Sequence, residues 1–99
     1  IDNIDTIKSI MKRRAIRNYY IHADAALSGM ILPFVKEPQP FDFSAGIDSI
    51  SISGHKMPGV PLPCGVALAK REHVNRIGRT VEYVGTNDTT VTGSRSGIT

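Results

Sequence analysis

Ninety-nine residues, 40% hydrophobic and 21% charged, set the scale of one ordinary soluble domain and exclude a second. Pro33, Lys36, Glu37 and Pro38 interrupt the chain after Met30-Ile31-Leu32, so no run approaches the ~18 apolar residues of a membrane span. Twelve Lys+Arg against nine Asp+Glu leave a net charge of +3, too small and too scattered to argue for nucleic acid by itself. Cys64 is the single cysteine, which excludes an internal disulfide, and no stretch has the basic start and apolar core of a signal peptide; a reducing, cytoplasmic setting is expected. The chain begins at Ile1 without an initiator methionine and reads as a piece of a longer protein.

In chain order, Asp2 or Asn3 offers an N-cap, and Ile4, Ile7, Ile10 and Met11 recur at the spacing of one helical face. The cluster Lys12-Arg13-Arg14 reads as a solvated last turn that complements the helix dipole. Tyr19-Tyr20-Ile21-His22-Ala23 reads as a strand buried on both faces and ending at Asp24. Small residues Ala25, Ala26, Ser28 and Gly29 follow, and then Pro33, Pro38 and Pro40 impose an irregular connection. Period-two alternation predicts a strand over Ile47–Ser53, broken by Gly54-His55-Lys56. Pro58, Gly59, Pro61 and Pro63 restrict the next loop; Gly65–Ala69 reads as a third strand and Arg71–Ile77 as a short helix. The Thr-, Ser-, Gly- and Asn-rich stretch from Gly85 to Gly97 reads as loop.

Two strand ends carry the chemistry: one presents His22, Asp24 and Ala26, the other Ser53, His55 and Lys56. Ligands of open α/β sheets gather beyond the carboxyl ends of strands. A lysine at such a place suits a Schiff base, because partial burial lowers its pKa and frees the amine to attack a carbonyl. Pyridoxal phosphate supplies an aldehyde and requires a carboxylate at its ring nitrogen and donors for its phosphate; Asp24, Ser53 and His55 are the right types.

The order and separation of His22-Ala23-Asp24-Ala25-Ala26 and Ser53-Gly54-His55-Lys56, with Pro63-Cys64-Gly65 next and Thr92-Gly93-Ser94-Arg95-Ser96-Gly97 after, resemble the pyridoxal-phosphate-dependent group II amino-acid decarboxylases. The stretches YIHADAALSGMILPF (Tyr20 to Phe34) and GIDSISISGHKM (Gly46 to Met57) are most similar to the bacterial branch that acts on L-histidine, and plant serine decarboxylases share the layout. The resemblance implies an α/β fold: residues 1–99 would be the central segment of the large domain of a fold-type I, aspartate aminotransferase-like enzyme, without the upstream cofactor-site residues and the C-terminal small domain. It makes Lys56 the lysine that joins pyridoxal 5'-phosphate, Asp24 the partner of the pyridine nitrogen, Ala26 a packing contact on the ring, and His55 and Ser53 phosphate contacts. Ser53 and Gly54 stand where many relatives have asparagine and proline. Ser94, in the Thr92–Gly97 loop, would reach the phosphate of a neighbouring subunit in a homodimer or higher homo-oligomer. The implied reaction is decarboxylation of an L-amino acid, L-histidine to histamine and CO2 foremost, with serine or another amino acid as the alternative.

Other readings weigh against single residues. His22 reads as a satisfied buried histidine, His73 as a surface residue and Cys64 as a small packed thiol. His22, Asp24 and His55 lack a third metal-ligand spacing, so no metal is expected. A non-enzymatic alternative would be a small basic module binding RNA or protein through Lys12, Arg13, Arg14, Arg71, Arg76 and Arg79, and another is a catalytically inactive piece. No nucleic-acid or membrane partner is expected of the enzyme.

Overall fold

The computed structural model describes residues 2–81 and 86–88. Helix α1 (Ile4–Arg13) starts where Asn3 Oδ1 accepts the Thr6 N–H at 2.9 Å, which fixes Asn3 rather than Asp2 as the cap. Lys12 and Arg13 occupy the last turn, where positive charge meets the negative end of the helix dipole. The helix closes when the Ala15 N–H bonds Lys12 O at 3.1 Å and the Ile16 N–H bonds Met11 O at 3.0 Å. That paired closure needs a left-handed residue, and Ala15 provides it at φ 55° although glycine fits such a place better.

Three strands form a mixed sheet in the order β1 (His22–Asp24), β2 (Ser49–Ser53), β3 (Gly65–Ala69). β1 runs parallel to β2 with Ala23 opposite Ile50, and β3 runs antiparallel with Ile50 opposite Leu68. Alternation divides this sheet into unlike faces. Ala23, Ile50 and Ile52 point to the apolar side, where Ile4, Ile21, Ala25 and the fully enclosed Ile47 complete a buried cluster flanked by Ile7, Phe43 and Ala45. Lys8 Nζ holds α1 to this layer by donating to Ala45 O at 3.0 Å. Gly29, in the 3-10 turn Ser28–Met30, passes so close to Ile52 that an added Cβ would lie 2.8 Å from Ile52 Cγ1, so this approach requires glycine. The other face carries His22 and Asp24 on β1, Ser49, Ser51 and Ser53 on β2, and Gly65, Ala67 and Ala69 on β3.

The small mixed sheet with its helices is compatible with an α/β fold, and the third strand has its expected limits. The first strand differs: Tyr19 and Tyr20 are 41% and 52% exposed and lie outside β1. The cause is Asp48, whose Oδ2 accepts the Ile21 N–H at 2.9 Å, so that a side chain takes the donor a strand neighbour would otherwise receive. Within β1 only Ala23 is buried. Helix α2 (Arg71–Arg76) follows β3, with Ile77 as its C-cap. Part of the expected Gly85–Gly97 loop is strand: β5 (Thr86–Asp88) pairs antiparallel with β4 (Arg79–Val81). The Thr92–Gly97 loop and Ser94 lie outside the described residues. Among the described residues no helix is long and apolar enough to cross a membrane.

Candidate active site

The polar sheet face begins with register. Pairing His22 with Ser49 and Asp24 with Ser51 sets an imidazole and a carboxylate beside two hydroxyls. His22 Nδ1 lies 2.6 Å from Ser49 Oγ, and His22 Nε2 lies 3.3 Å from Ser51 Oγ. Ser51 Oγ donates in turn to Asp24 Oδ1 at 3.4 Å. Oδ1 also accepts the Ala26 N–H at 3.1 Å, an Asx-type turn that bends the chain as it leaves β1. His22 is therefore satisfied but not buried: the face it occupies is open, and serine hydroxyls rather than apolar neighbours surround its ring.

Past the end of β1 the two segments stay in contact. The Ala25 N–H bonds Ser51 O at 3.0 Å, and the Ser53 N–H bonds Ala26 O at 3.1 Å. Asp24, Ala26 and Ser53 are thus brought together by main-chain bonds at the carboxyl ends of parallel strands, where the sheet offers a ligand its open edge. Ala26 is half-buried and its side chain is a single methyl, which leaves room above it.

The loop after β2 is closed on itself. The Gly54 N–H bonds Cys64 O at 2.9 Å, and the Val60 N–H bonds Gly54 O at 3.0 Å. Gly54 is buried against Cys64 Sγ, and any side chain there would collide with the sulfur. Cys64 is exposed, not the packed thiol its neighbours suggest, although its sulfur lies beside Gly54. His55 Nδ1 stands 3.1 Å from Cys64 O and 3.3 Å from the Cys64 N–H, and its tautomer decides which bond forms. Lys56 comes next, exposed, in a turn closed by the Gly59 N–H on Lys56 O at 3.2 Å.

A second cluster, absent from the sequence reading, sits at the opposite end of the sheet. Asp48 Oδ1 pairs with Lys70 Nζ at 2.8 Å and with His73 Nε2 at 3.2 Å, while its Oδ2 takes the Ile21 N–H. The Lys70 bond and the Ile21 N–H hold the Asp48 carboxyl down at about 2, and the carboxylate raises Lys70 above its usual 10.5. His73 is not the surface residue its polar helix implies: its side chain is 20% exposed and its ring meets Tyr20 edge-on at 4.9 Å. Ser49 and Ser51 were also missed as site residues. Their period-two spacing was visible, but their placement beside His22 and Asp24 depends on a parallel register that no local signal carries.

The family model for the pyridoxal-dependent decarboxylase conserved domain matches residues 1–95. The chain belongs to this family. Along its whole length it is 58% identical to a histidine decarboxylase of Pseudomonas entomophila and 57% identical to one of Acinetobacter baumannii strain ATCC 17978, covering 25% and 26% of those proteins. A histidine decarboxylase of Raoultella ornithinolytica is 54% identical and is covered over 44% of its length. The chain thus spans about a quarter of the first two relatives. Pyridoxal phosphate is the cofactor of the family.

Proposed function

We propose that the complete protein carrying this segment is a pyridoxal-phosphate-dependent carboxy-lyase that converts L-histidine and a proton to histamine and CO2. The observation that carries the reading is the 54–58% identity to histidine decarboxylases along the entire chain. In this reading residues 1–99 form the central part of a fold-type I large domain, in a cytoplasmic homodimer. The alternative substrate, serine, keeps the same residues and differs in a side-chain pocket.

The donor set at the strand ends suits the cofactor. Asp24 takes both of its bonds on Oδ1 among the described residues, so Oδ2 is the oxygen that would face the ring nitrogen and hold its proton. Ala26, limited to a methyl group, would let the flat ring lie against the chain. Ser53, bonded through its N–H to Ala26 O, keeps its hydroxyl for the phosphate. When His55 Nδ1 accepts the Cys64 N–H, the proton of its ring is on Nε2, which becomes a phosphate donor. Lys56 follows at once on the rigid loop and would hold the cofactor through Nζ. Bound pyridoxal phosphate supplies an electron sink for the pair released as the carboxylate departs. Ser94 of a second subunit would add a phosphate contact.

Purified complete protein, loaded with pyridoxal phosphate and offered L-histidine, L-serine and aromatic amino acids side by side, should release CO2 with the highest kcat/KM from histidine. A preference for serine or an aromatic substrate would move the specificity and keep the reaction; no CO2 from any of them would remove both.

A further inference from the structure

We infer that Ser51 is a positioning residue for Asp24, with its hydroxyl directed by His22 and Ser49, so that Asp24 presents one free carboxylate oxygen to the cofactor's ring nitrogen. The inference rests on the proposed pyridoxal phosphate site and adds to it Ser51 and Ser49, which no strand-end motif singles out.

The argument follows the protons. A carboxylate only accepts, so Ser51, 3.4 Å from Asp24 Oδ1, must spend its one O–H there. The lone pairs of Ser51 Oγ are then left for a donor, and His22 Nε2 stands 3.3 Å away. A proton on Nε2 makes Nδ1 an acceptor in the neutral ring, and Ser49 Oγ donates to it at 2.6 Å. Every bond along Ser49, His22, Ser51 and Asp24 thereby points the same way. Bonds so aligned polarise one another, and long ones tighten when a ligand is held. The chain ends on Oδ1 together with the Ala26 N–H, which fixes the carboxylate plane from two sides and leaves Oδ2 for the ring. Ala67 and Ala69, opposite Ser51 and Ser49 on β3, carry no side-chain group that could compete for these bonds.

The test compares the complete protein with its Ser51→Ala, Ser51→Thr and His22→Leu variants, each titrated as apoprotein with pyridoxal phosphate and with the carbocyclic analogue whose ring nitrogen is replaced by carbon. Ser51→Ala should weaken pyridoxal phosphate about tenfold and leave the analogue within about twofold, because only the nitrogen reads the orientation of Asp24. His22→Leu should show the same selectivity with a smaller loss, and Ser51→Thr, which keeps the hydroxyl, should bind both as the parent does. Equal losses for both ligands, or no loss, overturn the inference. If the unaltered protein binds neither ligand, the proposed site itself fails, which is a separate result. Nitrogen NMR of the unaltered, histidine-labelled protein supplies an arm independent of any variant: the neutral His22 ring should carry its proton on Nε2, and the Nδ1–H tautomer overturns the inference.

Discussion

Asp48 and Asp24 flank the β1–β2 pair at opposite ends, and the contrast between them separates a carboxylate that holds the fold from the one proposed for the ligand. Asp48 is saturated: Lys70, His73 and the Ile21 N–H occupy both of its oxygens, and its side chain is only 14% exposed. Asp24 is exposed and, among the described residues, gathers its two bonds on one oxygen. Lysines divide in the same way. Lys70 is committed to Asp48, whereas Lys56 sits exposed on a loop whose backbone is tied down and whose amine has no partner among the described residues. Residue type alone does not distinguish these pairs; the number of partners does.

The sharpest way to break the comparison is to exchange its two lysines. Lys56→Ala in the complete protein should lower kcat by at least about a thousandfold while the protein still folds, since the proposed covalent cofactor link has no substitute among neighbouring groups. Lys70→Ala should instead lower thermal stability and leave a substantial fraction of the activity. A smaller effect is expected at Asp24: Asp24→Asn should retain cofactor but cut turnover on the order of a hundredfold, equivalent to about 3 kcal/mol of transition-state stabilisation. Near-normal turnover in that variant would show that the ring nitrogen is served by another group.

Asp48 gives the stability counterpart. Asp48→Asn should cost about 2 kcal/mol, read by denaturant unfolding, because it removes a charge-assisted bond and weakens the Ile21 contact. Its pH signature has a definite sign. A carboxyl held at about 2 when folded, against 3.8 in the open chain, stabilises fully above pH 4, and that stabilisation disappears as pH falls from about 4 through about 2. The variant should lose this part of the acid dependence. The smallest effect belongs to the end of α1, where Ala15→Gly should add about 0.5–1 kcal/mol by relieving the left-handed backbone at φ 55°.

What the sequence made legible follows the range of the interactions. Helix α1 and the strand through Ile50 and Ile52 were readable because their signals are periodic and local. The start of β1 was not, since it depends on a carboxylate 27 residues away that claims the Ile21 N–H. His73 was misjudged for the same reason: its partner Asp48 lies 25 positions earlier and across the sheet. At the site, Asp24 and Lys56 stand out as polar residues at strand ends and take their roles from resemblance to a family, while Ser51 emerges only once the parallel register places it beside Asp24. His22 shows the limit of composition: apolar neighbours in sequence implied burial, but alternation turned it onto the polar face.

The most direct measurement is borohydride reduction of the complete, cofactor-loaded protein, followed by peptide mapping of the pyridoxyl group. The account predicts the label on Lys56, in the peptide that contains Ser53-Gly54-His55-Lys56. A label on Lys70, or on any lysine other than Lys56, would contradict it.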